Sequence, residues 1–433
     1  MSMYSKVYHW IGLPLAALTA PVWLTALLAK KKHRVNFWQR LGFLTAEEKA
    51  RLPKEPRIWL HAVSVGEFNL TLTLLKVLRP KLPNYGFVVS VTTATGYAVA
   101  KEKLPPDVGL IYFPMEFYPC MRHVISVVKP VAAVVMETEI WPSFIYGLRD
   151  RNVPVLLANG RLSDKSFRGY GKAKPFVRDV LRIFNRCMMQ TPGDARRILR
   201  LGARAESVSA DGNIKFDSVP ANGAAPVDEA LRAELSLPEG SEIFLGAALE
   251  KSGREDEMLL DVFALVRREY PACGLIMVPR HPERGDKMAE LIRARGFEPR
   301  RRSLKESFDN PKKQIYLVDT VGELKRFYTL STVVYVGKSM YPPGGGQNML
   351  ESVALGRPTL YGPYTRNFRG IADVLAQRGG AEVVKDAWQL KERVAELLRD
   401  KKAAASLVER GQAYIKTQQG VTEKIADEIV KML

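Results

Sequence analysis

Arg57-Ile-Trp-Leu-His-Ala-Val-Ser-Val-Gly-Glu67-Phe-Asn-Leu-Thr71 is the stretch that decides the fold. Residues 58–62 form a short, mostly apolar run of strand type. From 68 to 78 the apolar residues recur at helical spacing, and Pro80 ends the pattern. The hinge between them is Ser64-Val65-Gly66-Glu67. A tight turn from strand into helix aims backbone N–H groups and the positive end of a helix dipole at whatever lies above the sheet. Glu67 stands at that mouth, where open α/β sheets bind their ligands. A carboxylate there can take a proton from an attacking hydroxyl. It can equally serve only as a cap, since acidic residues suit a first helical turn.

Outward from the hinge, to about residue 215, strand-like runs at 86–91, 108–113, 131–136, 153–158 and 187–190 alternate with helical patterns such as 141–151 and 194–201. Alternation at this spacing predicts βαβ units and a mostly parallel sheet. Val219-Pro-Ala-Asn-Gly-Ala-Ala-Pro-Val227 reads as a linker. The alternation restarts at 243–248 and continues through 275–278, 315–318, 333–336 and 359–361. The tail from 403 to 433 is helical, with Gly411 and Gly420 as breaks. The expected organisation is α/β: residues 1–34 as an N-terminal segment, 35–218 as a first domain, 219–240 as linker, and 241–433 as a second domain with C-terminal helices. Two Rossmann-like, doubly wound domains facing a cleft would present two sets of strand ends to a ligand.

A chain of 433 residues exceeds what one core usually supports. Its formal charge of +19 favours anionic partners, whether nucleic acid, anionic membrane or phosphorylated substrate. Cys120, Cys187 and Cys273 are odd in number and far apart, which excludes a disulfide framework and a Cys-x-x-Cys zinc site and suits a reducing compartment. Residues 11–29 carry no charge and are long enough to cross a bilayer as a helix. Lys30-Lys-Lys-His-Arg34 follows directly, so the positive-inside rule puts the body of the protein in the cytoplasm. Pro14 and Pro21 leave open a helix lying in the interface, and a buried core helix is the bland alternative.

Several chemistries fail on pattern. Gly337-Lys338-Ser339 ends like a P-loop, but position 332 is Thr where the motif needs Gly. No Gly-x-Gly-x-x-Gly opens either domain, and there is no His-Glu-x-x-His. Ala62-Val63-Ser64-Val65-Gly66 resembles a nucleophile elbow with Ala in place of the first Gly, for which His281 would be a candidate base. More promising is Met136-Glu137-Thr138-Glu139-Ile140-Trp141-Pro142, which sets two carboxylates at a strand end on the same rim as Glu67, unless they are only solvated loop residues. Lys215, in Asp211-Gly-Asn-Ile-Lys215-Phe-Asp217, reaches a phosphate or is a surface lysine. Three further loops leave strands of the second domain: Val278-Pro279-Arg280-His281-Pro282-Glu283-Arg284, Val318-Asp319-Thr320-Val321-Gly322-Glu323-Leu324, and Gly344-Gly-Gly-Gln-Asn348-Met-Leu-Glu351. The first pairs two arginines with a helix start as an anion cradle. The third opens on a glycine run that lets a ligand approach the backbone, with Glu351 placed to accept from ribose hydroxyls.

Together these residues resemble the Kdo transferases of lipopolysaccharide synthesis. The matching pieces run almost the full chain and include Ser64-Val-Gly-Glu67, Glu137-Thr-Glu-Ile-Trp-Pro142, Ala158-Asn-Gly-Arg161-Leu-Ser163, Gly212-Asn-Ile-Lys-Phe-Asp217, Pro279-Arg-His-Pro-Glu-Arg284, Asp319-Thr-Val-Gly-Glu-Leu324 and Asn348-Met-Leu-Glu351. The resemblance implies a GT-B fold, an N-terminal membrane-anchor helix in the inner membrane with the catalytic domains on the cytoplasmic side, and inverting transfer of Kdo from CMP-Kdo to a lipid A precursor, lipid IVA. It implies no metal and no cofactor, since CMP-Kdo is a co-substrate, and no nucleic acid partner. The family's general base falls on Glu67 and its transition-state-stabilising positions on Glu137 and Lys215. Its nucleotide contacts fall on Pro279, Arg280, Val321, Gly322, Glu323, Asn348, Met349, Leu350 and Glu351. Two stretches depart from the family pattern, Gly246-Ala-Ala-Leu-Glu-Lys-Ser-Gly-Arg-Glu-Asp256 and Gly345-Gly346-Gln347-Asn348, where the family pattern has histidines. The rival readings are a GT-B enzyme using a UDP-sugar on a lipid acceptor, and a non-catalytic protein that binds anionic lipid.

Overall fold

The computed structural model describes residues 3–8, 36–220, 223, 225–250 and 254–433. The chain divides into two compact units, Met1–Ser218 with Gln418–Leu433, and Val219–Thr417.

In the first unit, β1 (Arg57–Ala62), β2 (Gly86–Val91), β3 (Gly109–Tyr112), β4 (Pro130–Met136), β5 (Val155–Gly160), β6 (Arg186–Met189) and β7 (Val208–Ala210) form one sheet. Its order is β3-β2-β1-β4-β5-β6-β7, and every pair is parallel. Side chains alternate across each strand, so β1 feeds two cores. Ile58, Leu60 and Ala62 join Phe68, Leu74 and Leu78 of the helix Val65–Lys81 on one face. Trp59 joins Met121, Ile125 and Phe144 on the other. Burial on both faces explains why the strands read as continuous apolar runs.

In the second unit, β8 (Ile243–Leu249), β9 (Gly274–Pro279), β10 (Glu298–Arg301), β11 (Gln314–Leu317), β12 (Val333–Val336), β13 (Thr359–Tyr361) and β14 (Glu382–Val383) lie in the order β10-β11-β9-β8-β12-β13-β14. These pairs are parallel too. Each chain path starts at a central strand, builds to one side and then returns to build on the other. The strand order therefore reverses between β1 and β4 in the first sheet and between β8 and β12 in the second. Such switch points open a crevice at the carboxyl ends of the strands.

Several sequence expectations change. The three strands that periodicity missed, β7, β10 and β14, all lie at sheet edges, where short polar segments such as Glu-Pro-Arg-Arg are favoured because they blunt unpaired edges. Pro80 lies inside its helix, which begins at Val65 and ends one residue past it at Lys81. Gly411 is no break either. It lies inside the helix Lys401–Thr417, and a Cβ there would sit 2.6 Å from the Gly380 carbonyl oxygen, so glycine serves close packing. Residues 219–240 are not a free linker. The helix Glu229–Glu234 buries Leu231 in the second unit, and Asp228 and Glu234 pair with Arg326 (2.7 Å) and Arg302 (2.6 Å).

The expectation that 241–433 forms one domain is also corrected. The helix Val421–Met432 belongs to the first unit, where Ile425 and Ile429 are buried in the same core as Leu60. Asp217 clamps its start, accepting from the N–H groups of Gly420 (2.7 Å) and Thr422 (2.6 Å) and from the Thr422 hydroxyl (2.6 Å).

The apolar run 11–29 and the basic cluster 30–34 lie outside the described residues. Among the described residues no helix is long and apolar enough to cross a membrane. Residues 3–8 are helical. Tyr8 donates to Glu116 at 3.3 Å and stacks on Phe176 at 5.2 Å, both in the first unit.

Candidate active site

The rim of the first sheet is built from the turns after β1, β4, β5 and β7. Ser64 is the N-cap of the helix that follows β1, in extended backbone, and its Oγ accepts the Glu67 N–H at 3.4 Å. The Glu67 carboxylate folds back on the turn. Its Oε2 accepts the Val63 N–H at 2.7 Å and its Oε1 accepts the Ser64 hydroxyl at 3.0 Å. Glu67 therefore does cap its helix, but only 9 % of it is exposed. Burial pushes its pKa up to about 7, with the charges of Glu137 and Glu139 adding to the rise and the Val63 and Ser64 hydrogen bonds opposing it. A carboxyl held near neutrality is suited to proton transfer at physiological pH.

Glu137 ends β4 in the left-handed region, φ 53°, with its N–H on the Ala158 carbonyl at 2.9 Å. A non-glycine residue pays about 1 kcal/mol for that backbone, and such strain gathers at functional sites. Asn159, φ 55°, sits in an irregular step of the β5–β6 register. Its side-chain oxygen accepts the Ile214 N–H at 3.1 Å, which sets the 3₁₀ turn carrying Lys215. Burial lowers the Lys215 pKa, and the fields of Glu137 and Glu67 pull it back up. Arg161 adds a second positive field on Lys215, and Thr138 donates to the Arg161 carbonyl and accepts its N–H. Burial, then Glu137, raise the Glu139 pKa. The sequence-predicted Glu67, Glu137 and Lys215 thus come together at the β1/β4 switch point.

In the turn that resembles a nucleophile elbow, the Ser64 hydroxyl donates to the Glu67 carboxylate at 3.0 Å, and His281, the candidate base, faces Glu250 at 3.8 Å and Glu283 at 3.4 Å. His61 faces the core, stacked on Phe113 at 3.8 Å, and burial pushes its pKa down to about 3.

In the second unit the three predicted loops leave β9, β11 and β12. Pro279 is buried and Arg280 exposed, its N–H on the Leu249 carbonyl at 2.8 Å. Arg284 does not complete the cradle, because it is paired with the buried Asp256. Val321 is 84 % exposed and Gly322 is left-handed, φ 91°. The Glu323 carboxylate is taken up by Arg302 (2.7 Å) and by the Thr320 hydroxyl (2.5 Å), which hold it below the usual carboxylate range. It can offer a ligand its backbone but not a free side chain. The same holds for Met349 and Leu350, which are fully buried. Asn348 donates to Glu351 at 3.3 Å, leaving both half-buried at the loop.

Glu255 organises this rim and carried no site role in the sequence reading. Buried at 1 % exposure, it accepts from the N–H groups of Lys338 (2.5 Å), Ser339 (2.8 Å) and Met340 (2.8 Å) and from the Tyr335 hydroxyl (3.0 Å). A cavity of about 940 Å³, lined by Arg232, Ser241, Thr332 and Pro358, lies at the amino ends of the second sheet's strands. Among the described residues no group of three or more His, Cys, Asp or Glu side chains could hold a metal ion.

Residues 35–218 match the family described as 3-deoxy-D-manno-octulosonic-acid transferase (kdotransferase). The chain is 31% identical over 401 residues to the 3-deoxy-D-manno-octulosonic acid transferase of Haemophilus influenzae, covering 92% of this chain and 91% of the relative. This chain belongs to the Kdo transferase family. It is a glycosyltransferase enzyme. The Bordetella pertussis 3-deoxy-D-manno-octulosonic acid transferase is 28% identical over 429 residues, 96% of this chain and 97% of that one. Among solved structures, the UDP-GlcNAc 2-epimerase from Neisseria meningitidis bound to UDP-GlcNAc shares the fold at TM-score 0.60 and 13% identity, over 87% of this chain and 100% of that chain. Its likeness supports two GT-B-like α/β domains and nothing about chemistry. In this Kdo transferase the residues to which sequence reasoning assigned no individual role, Asn159, Glu250, Glu255 and Lys338, share one weak signal. Each lies at or just beyond the carboxyl end of a strand or in the turn that supports it.

Proposed function

We propose that this enzyme transfers Kdo from CMP-Kdo to lipid IVA, the lipid A precursor, in lipopolysaccharide core synthesis, with inversion at the anomeric carbon. The observation that carries the reading is the Glu67 carboxyl, buried at the first switch point with a pKa of about 7 beside Glu137 and Lys215. Glu67 takes the proton from the acceptor's sugar hydroxyl. That oxygen attacks the anomeric carbon, and the bond to the CMP phosphate breaks. Lys215 supplies a positive charge among the carboxylates as negative charge moves to the leaving group. The second unit holds the nucleotide through the exposed Arg280, the backbone of residues 321–323 and 348–350, and Glu351. CMP-Kdo is a co-substrate, and neither a cofactor nor a nucleic acid enters the reading.

Residues 11–29 anchor the protein in the inner membrane, with the catalytic units on the cytoplasmic side. The charge of +19 suits an anionic bilayer and a phosphorylated glycolipid. Deleting residues 1–29 should release the protein only partly, and more so as salt rises. Full release at low salt would overturn electrostatic docking.

The deciding assay uses purified enzyme, CMP-Kdo made in situ, tetraacylated precursor and mass spectrometry of the product. Competition by UDP and not by CMP would favour a UDP-sugar enzyme instead.

A further inference from the structure

Lys338 is a charged side chain at the second switch point that the reaction described above leaves unused. It follows β12, while Glu250 follows β8, the strand on the other side of the crevice. The Lys338 Nζ lies 3.4 Å from the Glu250 Oε2. Glu250 is 16% exposed and its Oε1 is 3.8 Å from His281 Nε2, on the loop after β9. Lys338 thus pairs with the loop after β8, and Glu250 in turn faces the loop after β9.

Its backbone is not free to be elsewhere. Lys338 has φ 58°, a conformation that favours glycine. Glu255 holds its N–H, and its carbonyl accepts the Gly346 N–H of the glycine run at 2.7 Å. A Cβ on Gly337 would lie 3.0 Å from Leu249 Cα, so the turn packs directly against the end of β8. A strained, doubly tethered turn that carries an ammonium to the mouth of a switch point is arranged for an anion. The Gly337-Lys338-Ser339 triplet fails as a P-loop, yet it delivers a lysine to the kind of place where nucleotide phosphates sit.

We propose that Lys338 is a donor contact, its ammonium leaving Glu250 for the phosphate or the sugar carboxylate of the incoming nucleotide sugar, with Glu250 as the placeholder in the empty enzyme. This rests on the reading that the second unit binds CMP-Kdo. The two residues then have opposite effects. Lys338→Met should weaken the donor about ten- to a hundredfold, the worth of one charge-assisted hydrogen bond. Glu250→Gln, which removes the competing acceptor, should leave donor affinity unchanged or tighten it a few-fold.

The test is calorimetry of the full-length enzyme and both variants with CMP and with cytidine, alongside the KM for CMP-Kdo. Loss of CMP affinity in Lys338→Met with cytidine unchanged assigns the contact to the phosphate. An unchanged CMP affinity with a raised KM assigns it to the carboxylate. Lys338→Gly separates contact from structure: glycine suits the left-handed turn, so its melting temperature should hold or rise while donor binding falls. Donor parameters within twofold of wild type in both lysine variants, or equal weakening in Lys338→Met and Glu250→Gln, overturn the proposal. A wild-type enzyme that binds UDP but not CMP would sink the CMP-Kdo reading alone, and Lys338→Met would then be read against UDP. Binding of neither would sink both.

Discussion

Glu67 Oε2 accepts the N–H of Val63, four residues earlier, at 2.7 Å. That bond fixes the carboxylate against the turn after β1 and opposes burial, which raises its proton affinity most, with the two glutamates beyond β4 adding to the rise. Rigid placement and a neutral-range pKa are what a general base needs.

Glu67→Gln should cut turnover by about two to four orders of magnitude, with CMP affinity near that of the parent. It should also stabilise the fold at alkaline pH. The folded pKa of about 7 lies above an unfolded value of about 4.3. Between the two the folded state holds more protons, so stability falls as pH rises. Above that window the buried charge costs about 3–4 kcal/mol, which Gln removes. Melts at pH 8 that show the variant less stable, or turnover close to the parent's, would remove Glu67 from the role.

Glu137 and Lys215 should move the pH–rate profile in opposite directions. Glu137 raises the Glu67 pKa, so Glu137→Gln lowers it and carries the rising limb to lower pH. Lys215 shares a field with Glu67, so Lys215→Met raises the Glu67 pKa and carries the limb up. Both variants should lose tenfold or more in kcat at the optimum. Two limbs that shift the same way would show that Glu67 is not the group titrating.

Glu255→Ala should destabilise the second unit by about 3 kcal/mol or more, because three backbone N–H groups and the Tyr335 hydroxyl lose one buried acceptor. Residual folded protein should bind CMP weakly, since the turn at Lys338 and the glycine run tied to it lose their anchor. Denaturant melts and calorimetry measure the two effects. A stable variant with normal CMP affinity would refute the organising role.

Removing residues 418–433 should unfold the first unit, although the segment is some 200 residues away in sequence from Asp217, its partner there. Ile425 and Ile429 are buried in that unit's core, each worth about 1.5–3 kcal/mol. Asp217→Ala, which strips three hydrogen bonds from the helix start, should cost about 2 kcal/mol. If a chain ending at residue 417 melts like the full protein, the helix is dispensable.

Much of this molecule was legible from local pattern. Central strands buried on both faces carry long apolar runs, so β1, β4, β8, β9 and β12 could be read directly, and with them the turns that hold Glu67, Glu137 and Arg280. Short edge strands without an apolar run lack that signature, so β7, β10 and β14 were invisible, whereas the edge strand β3, Gly-Leu-Ile-Tyr, kept one. Tertiary packing decided the rest. Only the fold brings Val421–Met432 back beneath β1, since a helix records an apolar stripe but not the surface that will cover it. Only the fold commits Glu323 and Arg284 to ion pairs and leaves Arg280 exposed. And only the order of strands sets Glu67 beside Glu137, and Lys338 beside Glu250, because residues from distant turns become neighbours at a switch point through strand pairing, which leaves no trace in local spacing.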